Sequence, residues 1–408
     1  MNQNAGKQSR PLPPPPPSTI GRTSSSLPET DVKAQQPSSK KTQQPAKSNR
    51  PKRASGQPSL EYIIKKAYDQ GYSDIHIGVG EVPRVRDRGE MAVTEYPKTD
   101  GNTFMSWLYE VLSDREVERF KQELEFDGAT QYEFARVRIN VFDTLRGPAM
   151  VMRLIPLKIL TMDELGLPPV FQDISDEHKG LILVTGPTGS GKSTTMAAMV
   201  DYINTEHAKH IITIEDPIEF VHRSKRSLIK QREVGINTRK FDNALKASLR
   251  EDPDIILVGE MRDRETVNTA LKAAQTGHLV MGTLHTNSAV KTIERILTLY
   301  SAEEQDAMRM ALSESLVAVI SQGLCRTTDG RRAAYHDIMV NTETVKDYIK
   351  QGKYDDIHNL MLDGEYDGMI TTNQALFSLY EEGRITEDVA LEMSPAANEM
   401  AMMLRGRV

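Results

Sequence analysis

Gly186-Pro187-Thr188-Gly189-Ser190-Gly191-Lys192-Ser193-Thr194 constrains this chain more than any other stretch. It fits the pattern G-x4-GK[ST], and each residue type in it has a physical reason. Glycines allow the backbone turns that aim successive N–H groups inward and make an anion nest. A helix starting at the end of the loop sets its N-terminal dipole against the same anion. Lys192 supplies a mobile positive charge for β- and γ-phosphates, and Ser193 offers a hydroxyl to Mg²⁺. Such a loop needs a strand feeding it and a helix leaving it. The apolar run Leu181–Thr185 precedes it and the helix-forming segment Ser193–Glu206 follows. Residues Gly186 to Thr194 are therefore read as a nucleotide-binding loop inside an α/β domain.

The surrounding pattern agrees. Leu181–Thr185, His210–Glu215, Ile255–Gly259 and Leu279–Leu284 are short apolar runs, with helical segments such as Arg264–Gln275 between several of them. Continuous apolar strands joined by helical crossovers predict a mostly parallel sheet covered on both faces. After Ser301 the chain reads as mainly helical, apart from a strand at Ala333–Val340. Upstream, Leu60, Ile63, Ile64 and Ala67 recur at helical spacing, and Asp74–Ile77 alternates like a strand. Val82–Val85 reads as a further strand, Phe104–Phe120 as a helix, and Glu133–Phe142 with Ala149–Ile155 as a strand pair. That is a small α+β domain. His76 is expected in its core or on a strand face. The domain division is 60–156, a linker over 157–179, and 180–408 for the nucleotide-binding domain with its helical C-terminal region.

Charge is unevenly distributed. Residues 1–59 hold 10 Lys and Arg against 2 Asp and Glu, 11 of the 21 prolines and no aromatic residue. The other 349 residues carry a net charge of −14. The first stretch has too little apolar surface to offset ordering entropy, so it is expected to be a disordered basic arm. Pro13–Pro17 should be extended polyproline II, serving either as a tether or as a docking segment. A single cysteine, Cys325, excludes an intrachain disulfide and a four-cysteine metal site, and fits a reducing compartment. No apolar leader opens the chain. Its apolar runs fall far short of the ~20 residues a membrane span needs. A cytoplasmic protein with only peripheral membrane contact is expected.

Three polar clusters fall where strands of the same sheet end. Glu215-Asp216-Pro217-Ile218-Glu219 follows the first, in the crevice where α/β sheets bind ligands. Asp252–Glu260 is an apolar strand that ends in Gly259-Glu260. Many phosphate-loop enzymes place a metal-binding Asp where Gly259 stands. Glu260 is therefore read as the base that orients or deprotonates the attacking water. Mg²⁺ would rely on Ser193, phosphate oxygens and waters, with Glu215 and Glu260 the carboxylates assigned to it. Thr276–Asn287 places His278 and His285 at opposite ends of one strand. His285, at the acidic end, suits a hydrogen bond to the γ-phosphate; His278 suits a structural role.

These four clusters, in this order, resemble the secretion-type hexameric ATPases, and more closely the PilT/PilU family of type IV pilus retraction motors. Ile212–Phe220 looks like that family's Asp box, Asp254–Glu260 like its Walker B, and Thr276–Asn287 like its His box. Gly71–Ile77 is similar to the opening of its N-terminal PAS-like domain, and Gln231-Arg232-Glu233-Val234-Gly235 to a stretch after the Asp box. The likeness runs from about Leu60 to Met403. It implies a RecA-like domain and a homohexamer with ATP held between neighbouring subunits. It also implies arginines supplied in trans, which Arg136, Arg138 and Arg153 resemble; Arg250, Arg262 and Arg295 are further candidates. Glu215, Glu219, Glu260 and His285 are then the catalytic set. The implied activity is Mg²⁺-dependent ATP hydrolysis that retracts a pilus. Its partners would be an inner-membrane platform protein and other pilus ATPases, at the cytoplasmic membrane face.

Two departures bear on rank within the family. Thr344–Gln351 stands where the retraction signature usually reads Ala-Ile-Arg-Asn-Leu-Ile-Arg-Glu, and keeps only Ile349. Gln374–Gly383 looks closer to PilU, so an accessory paralogue is one reading. A type IV secretion ATPase is the alternative. Nucleic acid is not an expected partner, because a folded part at −14 repels phosphate backbones.

Overall fold

The computed structural model describes residues 50–87, 90–364 and 367–406, so most of the expected basic arm lies outside the described residues. The stretch 50–59 is described, and it packs. Ala54 N–H donates to Thr103 Oγ1 at 2.9 Å, and Arg53 pairs with Glu110 at 2.7 Å. The fully buried Trp107 donates its indole N–H to Pro58 O at 2.9 Å. The helix itself begins at Leu60, where Ser59 accepts from Tyr62 N–H as the N-cap. Packing thus starts ahead of the expected boundary.

The N-terminal sheet comprises β1 (Asp74–Gly78), β2 (Arg84–Asp87), β3 (Glu90–Val93), β4 (Glu125–Gln131), β5 (Ala135–Phe142) and β6 (Ala149–Pro156). Their order is β3-β2-β1-β6-β5-β4, antiparallel throughout. Along β5, Ala135, Val137, Ile139 and Val141 are buried, which turns Arg136 and Arg138 to the other face. The single helix expected over 104–120 is two, Gly101–Val111 and Asp114–Glu123. Ser113 and Glu116 form a capping box that starts the second, a short-range signal the apolar periodicity hid. β3 and β4 were not anticipated. β3 is four residues long, and β4 buries only Phe126 and Gly128, so neither carries an apolar alternation.

The segment expected as a linker holds two short helices, Met162–Leu165 and Val170–Ser175. Met162, Phe171 and Ile174 are buried with Ile182, Val184 and Met199 of the nucleotide-binding domain.

The second sheet holds β7 (Gly180–Thr185), β8 (His210–Glu215), β9 (Leu228–Glu233), β10 (Ile255–Val258), β11 (Leu279–Leu284), β12 (Leu316–Arg326) and β13 (Arg332–Val340). The order is β13-β12-β7-β11-β10-β8-β9; only the β12–β13 pair is antiparallel. Separate apolar clusters cover its two faces. One involves helices Arg264–Gln275 and Ala289–Leu297, the other helix Lys192–Glu206.

β12 corrects the expectation of helix after Ser301. Its opening Leu-Val-Ala-Val-Ile run follows helix Ala302–Ser315 with no Gly or Pro between them. Buried on both sheet faces, it shows no two-residue alternation by which a strand is recognised.

The packing of residues 50–59 makes a prediction. A chain beginning at Leu60 should unfold more easily than one beginning at Arg50, by about 1–3 kcal/mol, because the Trp107 indole loses its acceptor. Chemical denaturation measures it; coincident midpoints would show that these contacts add nothing.

Candidate functional site

β7 delivers the phosphate loop to the C-terminal edge of the sheet, where a cleft of about 710 Å³ opens. Thr188, Gly189, Gly191, Lys192, Ser193 and Thr194 line it on one side, and Glu215, Glu219, Glu260 and His285 on the other. The structure therefore gathers the loop and all four expected acid–base residues in one place.

The loop's shape is set by close packing as well as by its own glycines. Gly186, Gly189 and Gly191 have φ values of 140°, 82° and 89°. At Gly186 a Cβ would overlap the carbonyl oxygen of Gln322 on β12, and at Gly191 a Cβ would lie 2.8 Å from Gln322 Nε2. Gln322 is buried, and its side chain ties the middle of the loop to the first turn of the helix that follows. Its Nε2 donates to Ser190 O at 2.7 Å, and its Oε1 accepts from Thr195 Oγ1 at 2.7 Å. Reading the sequence missed this residue, because it missed the strand that carries it.

No side chain caps helix Lys192–Glu206, whose N-cap is Gly191. Its first N–H groups thus remain available to an anion. Lys192 Nζ donates to Gly186 O at 2.8 Å and Pro187 O at 3.0 Å, which leaves the third ammonium proton for a phosphate oxygen. Burial lowers the Lys192 pKa, partly offset by the charges of Glu219 and Glu260.

Three strands fix the turn that carries Glu260. Gly259 N–H donates to Ile214 O of β8 at 2.8 Å, Met261 N–H to Thr283 O of β11 at 2.9 Å, and Thr283 Oγ1 to Gly259 O at 2.5 Å. A Cβ at position 259 would meet Ile214 O at 3.0 Å and Glu215 Cα at 3.1 Å. The strand beside it therefore leaves little room for an Asp there, and the carboxylate appears one residue later. Glu260 accepts from Arg262 Nη2 at 2.7 Å and from His285 Nε2 at 3.1 Å. The guanidinium, more than the imidazole, holds the Glu260 carboxyl below the usual carboxylate range. At the other end of β11, His278 Nδ1 donates to Ala273 O at 2.9 Å, a structural role.

Glu215 behaves differently. Burial pushes its carboxyl up, while donors on Thr213 (2.6 Å) and Gln231 (3.2 Å) oppose the shift. Two carboxylates in one cleft are thus set apart by environment: Glu260 ionised beside a cation, Glu215 screened and half-buried. A serine hydroxyl with carboxylates nearby is a hard-oxygen donor set, which suits Mg²⁺.

The arginines divide. Arg262 lines the cleft; Arg332, from β13, also lines it and was not singled out from sequence. Arg136, Arg138 and Arg153 do not line the cleft of their own subunit. Arg138 binds Asp127 at 2.7 Å, Arg153 binds Asp74 at 2.9 Å, and Arg136 binds Glu233 of β9 at 2.6 Å.

The family model for type II/IV secretion system proteins matches residues 51–397. The type IV pilus retraction ATPase PilT of Pseudomonas aeruginosa is 47% identical over 324 residues, covering 79% of this chain and 94% of that protein. The type IV pilus ATPase PilU of the same species is 36% identical over 349 residues, covering 85% and 91%. A crystal structure of the pilus retraction motor PilT with bound ADP superposes with a TM-score of 0.79 at 42% identity. It covers 84% of this chain and 99% of that one.

The crowding at Gly186 is testable. Gly186→Ala should lower stability by about 3 kcal/mol, since a Cβ combines left-handed strain with overpacking. It should also remove the stabilisation that ATP gives. Thermal melts with and without nucleotide read both effects; a melt like that of the unaltered chain would refute the contact with Gln322.

Proposed function

The chain belongs to the type II/IV secretion system protein family, and within it to the PilT/PilU retraction ATPases; from that premise we propose that it is an ATP-hydrolysing motor for type IV pilus retraction. The observation that carries this reading is the cleft itself. One loop offers Lys192 and an uncapped helix N-terminus to phosphates. Opposite it stands a carboxylate fixed by three strands and paired to Arg262 and His285.

ATP phosphates would bind on the N–H groups of the loop and first helical turn, with the remaining ammonium proton of Lys192 donated to a β- or γ-oxygen. Glu260 orients the attacking water and takes its proton. Its depressed pKa keeps it ionised at neutral pH, so orientation is the larger part of its work. His285, hydrogen-bonded to Glu260, stands where it can feel whether the γ-phosphate is present. Glu219 adds negative charge at the rim. Ser193, Glu215 and Glu260 are the residues that would hold Mg²⁺, which when bound neutralises phosphate charge.

In a ring of six, positive charge reaches each cleft from the neighbouring N-terminal domain. Arg153, whose side chain is 66% exposed, and Arg138, at 34%, are the candidates best able to reach out. Rotation between the domains then passes to an inner-membrane platform protein, which places the motor at the cytoplasmic face of that membrane. Among the described residues no helix is long and apolar enough to cross a membrane. Deleting the gene should leave pili that extend and fail to retract; unchanged twitching and pilus number would overturn the assignment.

Two kinetic predictions follow from the geometry. Glu260→Gln should cut kcat by about 10²–10⁴-fold while ATP still binds, because the loop and Lys192 are untouched. Turnover by the purified variant and nucleotide affinity by calorimetry separate the two effects. Arg262→Ala should let the Glu260 pKa rise towards that of an ordinary carboxyl. Its base form is then lost at higher pH on acidification, so the acid limb of kcat/KM moves upward. An unmoved limb would show that Arg262 does not set the charge on Glu260.

A further inference from the structure

The turn Glu215–Glu219 brings three carboxylates, Glu215, Asp216 and Glu219, into the cleft, and β9 is the scaffold that shapes it. Glu215 and Glu233 are register partners at the ends of β8 and β9. Val234 N–H donates to Glu215 O at 2.9 Å, and Gln231 Nε2 donates to Phe220 O at 2.8 Å just beyond the turn. The Glu233 carboxylate completes the hold, because its Oε2 accepts from Ile218 N–H at 3.3 Å. That same oxygen accepts from Arg136 Nη2 at 2.6 Å. One carboxylate oxygen therefore joins a residue of the N-terminal domain to the backbone of the catalytic turn.

Burial makes this pair unlike the other arginine pairs of the N-terminal domain. The Glu233 and Asp74 side chains are equally buried, each 6% exposed. The arginine side chains differ, with Arg136 19% exposed against 34% for Arg138 and 66% for Arg153, so in the Arg136–Glu233 pair both partners are enclosed. A carboxylate so placed needs its cation, since removing one partner leaves a charge buried and half-satisfied. The neighbouring Arg138 also feels Glu233 and Asp216, which puts positive charge along the same side of the turn.

We propose that Arg136 and Glu233 are positioning residues acting within one subunit, by which the stance of the N-terminal domain sets the carboxylate turn of that subunit's own ATP site. Arg136 is then removed from the set of arginines delivered in trans, and the role of the Gln231–Gly235 stretch is to carry the receiving end of this contact. The inference rests on the ATPase reading above. It supplies a cis path between domain rotation and the chemistry.

Steady-state ATPase measurements on the full chain test it. Arg136→Ala and Glu233→Gln should each lower kcat about tenfold with KM changed less than about twofold, and the double variant should be no slower than the slower single one. Additive losses, or losses confined to KM, would overturn the proposal. A second experiment leaves Glu233 intact, in case Glu233→Gln fails to fold. Mixing Arg136→Ala subunits with Lys192→Ala subunits should recover no activity, since the intact Arg136 sits on subunits without a working loop. Mixing Arg153→Ala with Lys192→Ala should recover some. Recovery in the first mixture would show Arg136 acting in trans and sink the inference. An inactive unaltered chain, or no recovery in the second mixture, would count against the motor reading or its trans arginine; the kinetic comparison of Arg136 and Glu233 still decides the inference wherever the unaltered chain turns over.

Discussion

β12 runs parallel to β7 with Ser321 opposite Thr185, so Gln322 arrives beside the chain just as it leaves the sheet to form the phosphate loop. Its carbonyl crowds Gly186 and its side chain binds Ser190 and Thr195. Two consequences follow from that approach. The loop cannot relax outward on this side, and Gln322 holds its shape through Ser190 and Thr195. Such preorganisation is what makes an anion site effective, because no reorganisation is needed when the phosphate arrives. The second consequence is that the C-terminal part of the chain, through β12 and β13, is built into the nucleotide site and is no mere appendage.

On the far side of the cleft the same economy holds with different chemistry. β8, β10 and β11 are bound to one another through the backbone around Gly259, so the position of Glu260 is a property of the sheet. The close approach of β8 at Gly259 explains why the acid is displaced by one residue from the position common in phosphate-loop enzymes. Arg262 then tunes what the sheet has positioned. A carboxylate held ionised by a guanidinium is a poor proton acceptor but a reliable anchor for a water molecule. Because the Arg262 side chain is 64% exposed, the pair is also responsive, since any anion that draws Arg262 away changes the charge environment of Glu260.

Which of this was legible in the sequence depended on the range of the interaction. The loop, Glu260 and His285 were readable because each sits at a fixed spacing from an apolar strand, and the strand end defines the cleft. β12 was not, since a strand buried on both faces and fused to a preceding helix offers neither alternation nor a breaker. The capping box at Ser113 was readable in principle, but the apolar spacing across it suggested one helix. The partner of Arg136 lies 97 residues away. Nothing local to Arg136-Val137-Arg138 distinguishes an arginine bound to a buried carboxylate from one facing solvent.

The three N-terminal arginines differ in how deeply each is enclosed. All three resemble residues delivered to a neighbouring subunit, and all three already hold an acid in their own. Arg138 pairs with a half-exposed Asp127, and Arg153 reaches Asp74 from an exposed side chain. The partly exposed Arg138–Asp127 pair contributes about 0–1 kcal/mol, so a phosphate in the adjacent cleft would draw that arginine away at small cost. Arg153 is itself exposed, but its Asp74 is as buried as Glu233. In the Arg136–Glu233 pair both side chains are enclosed. Opening it strands a buried carboxylate, at a cost of about 3–5 kcal/mol. An arginine that must cycle with every turnover is better kept on a weak pair than a strong one. On the motor reading proposed above, the more exposed Arg138 and Arg153 side chains suit the mobile role, and the enclosed Arg136 suits the fixed joint between the N-terminal domain and the Glu215–Glu219 turn.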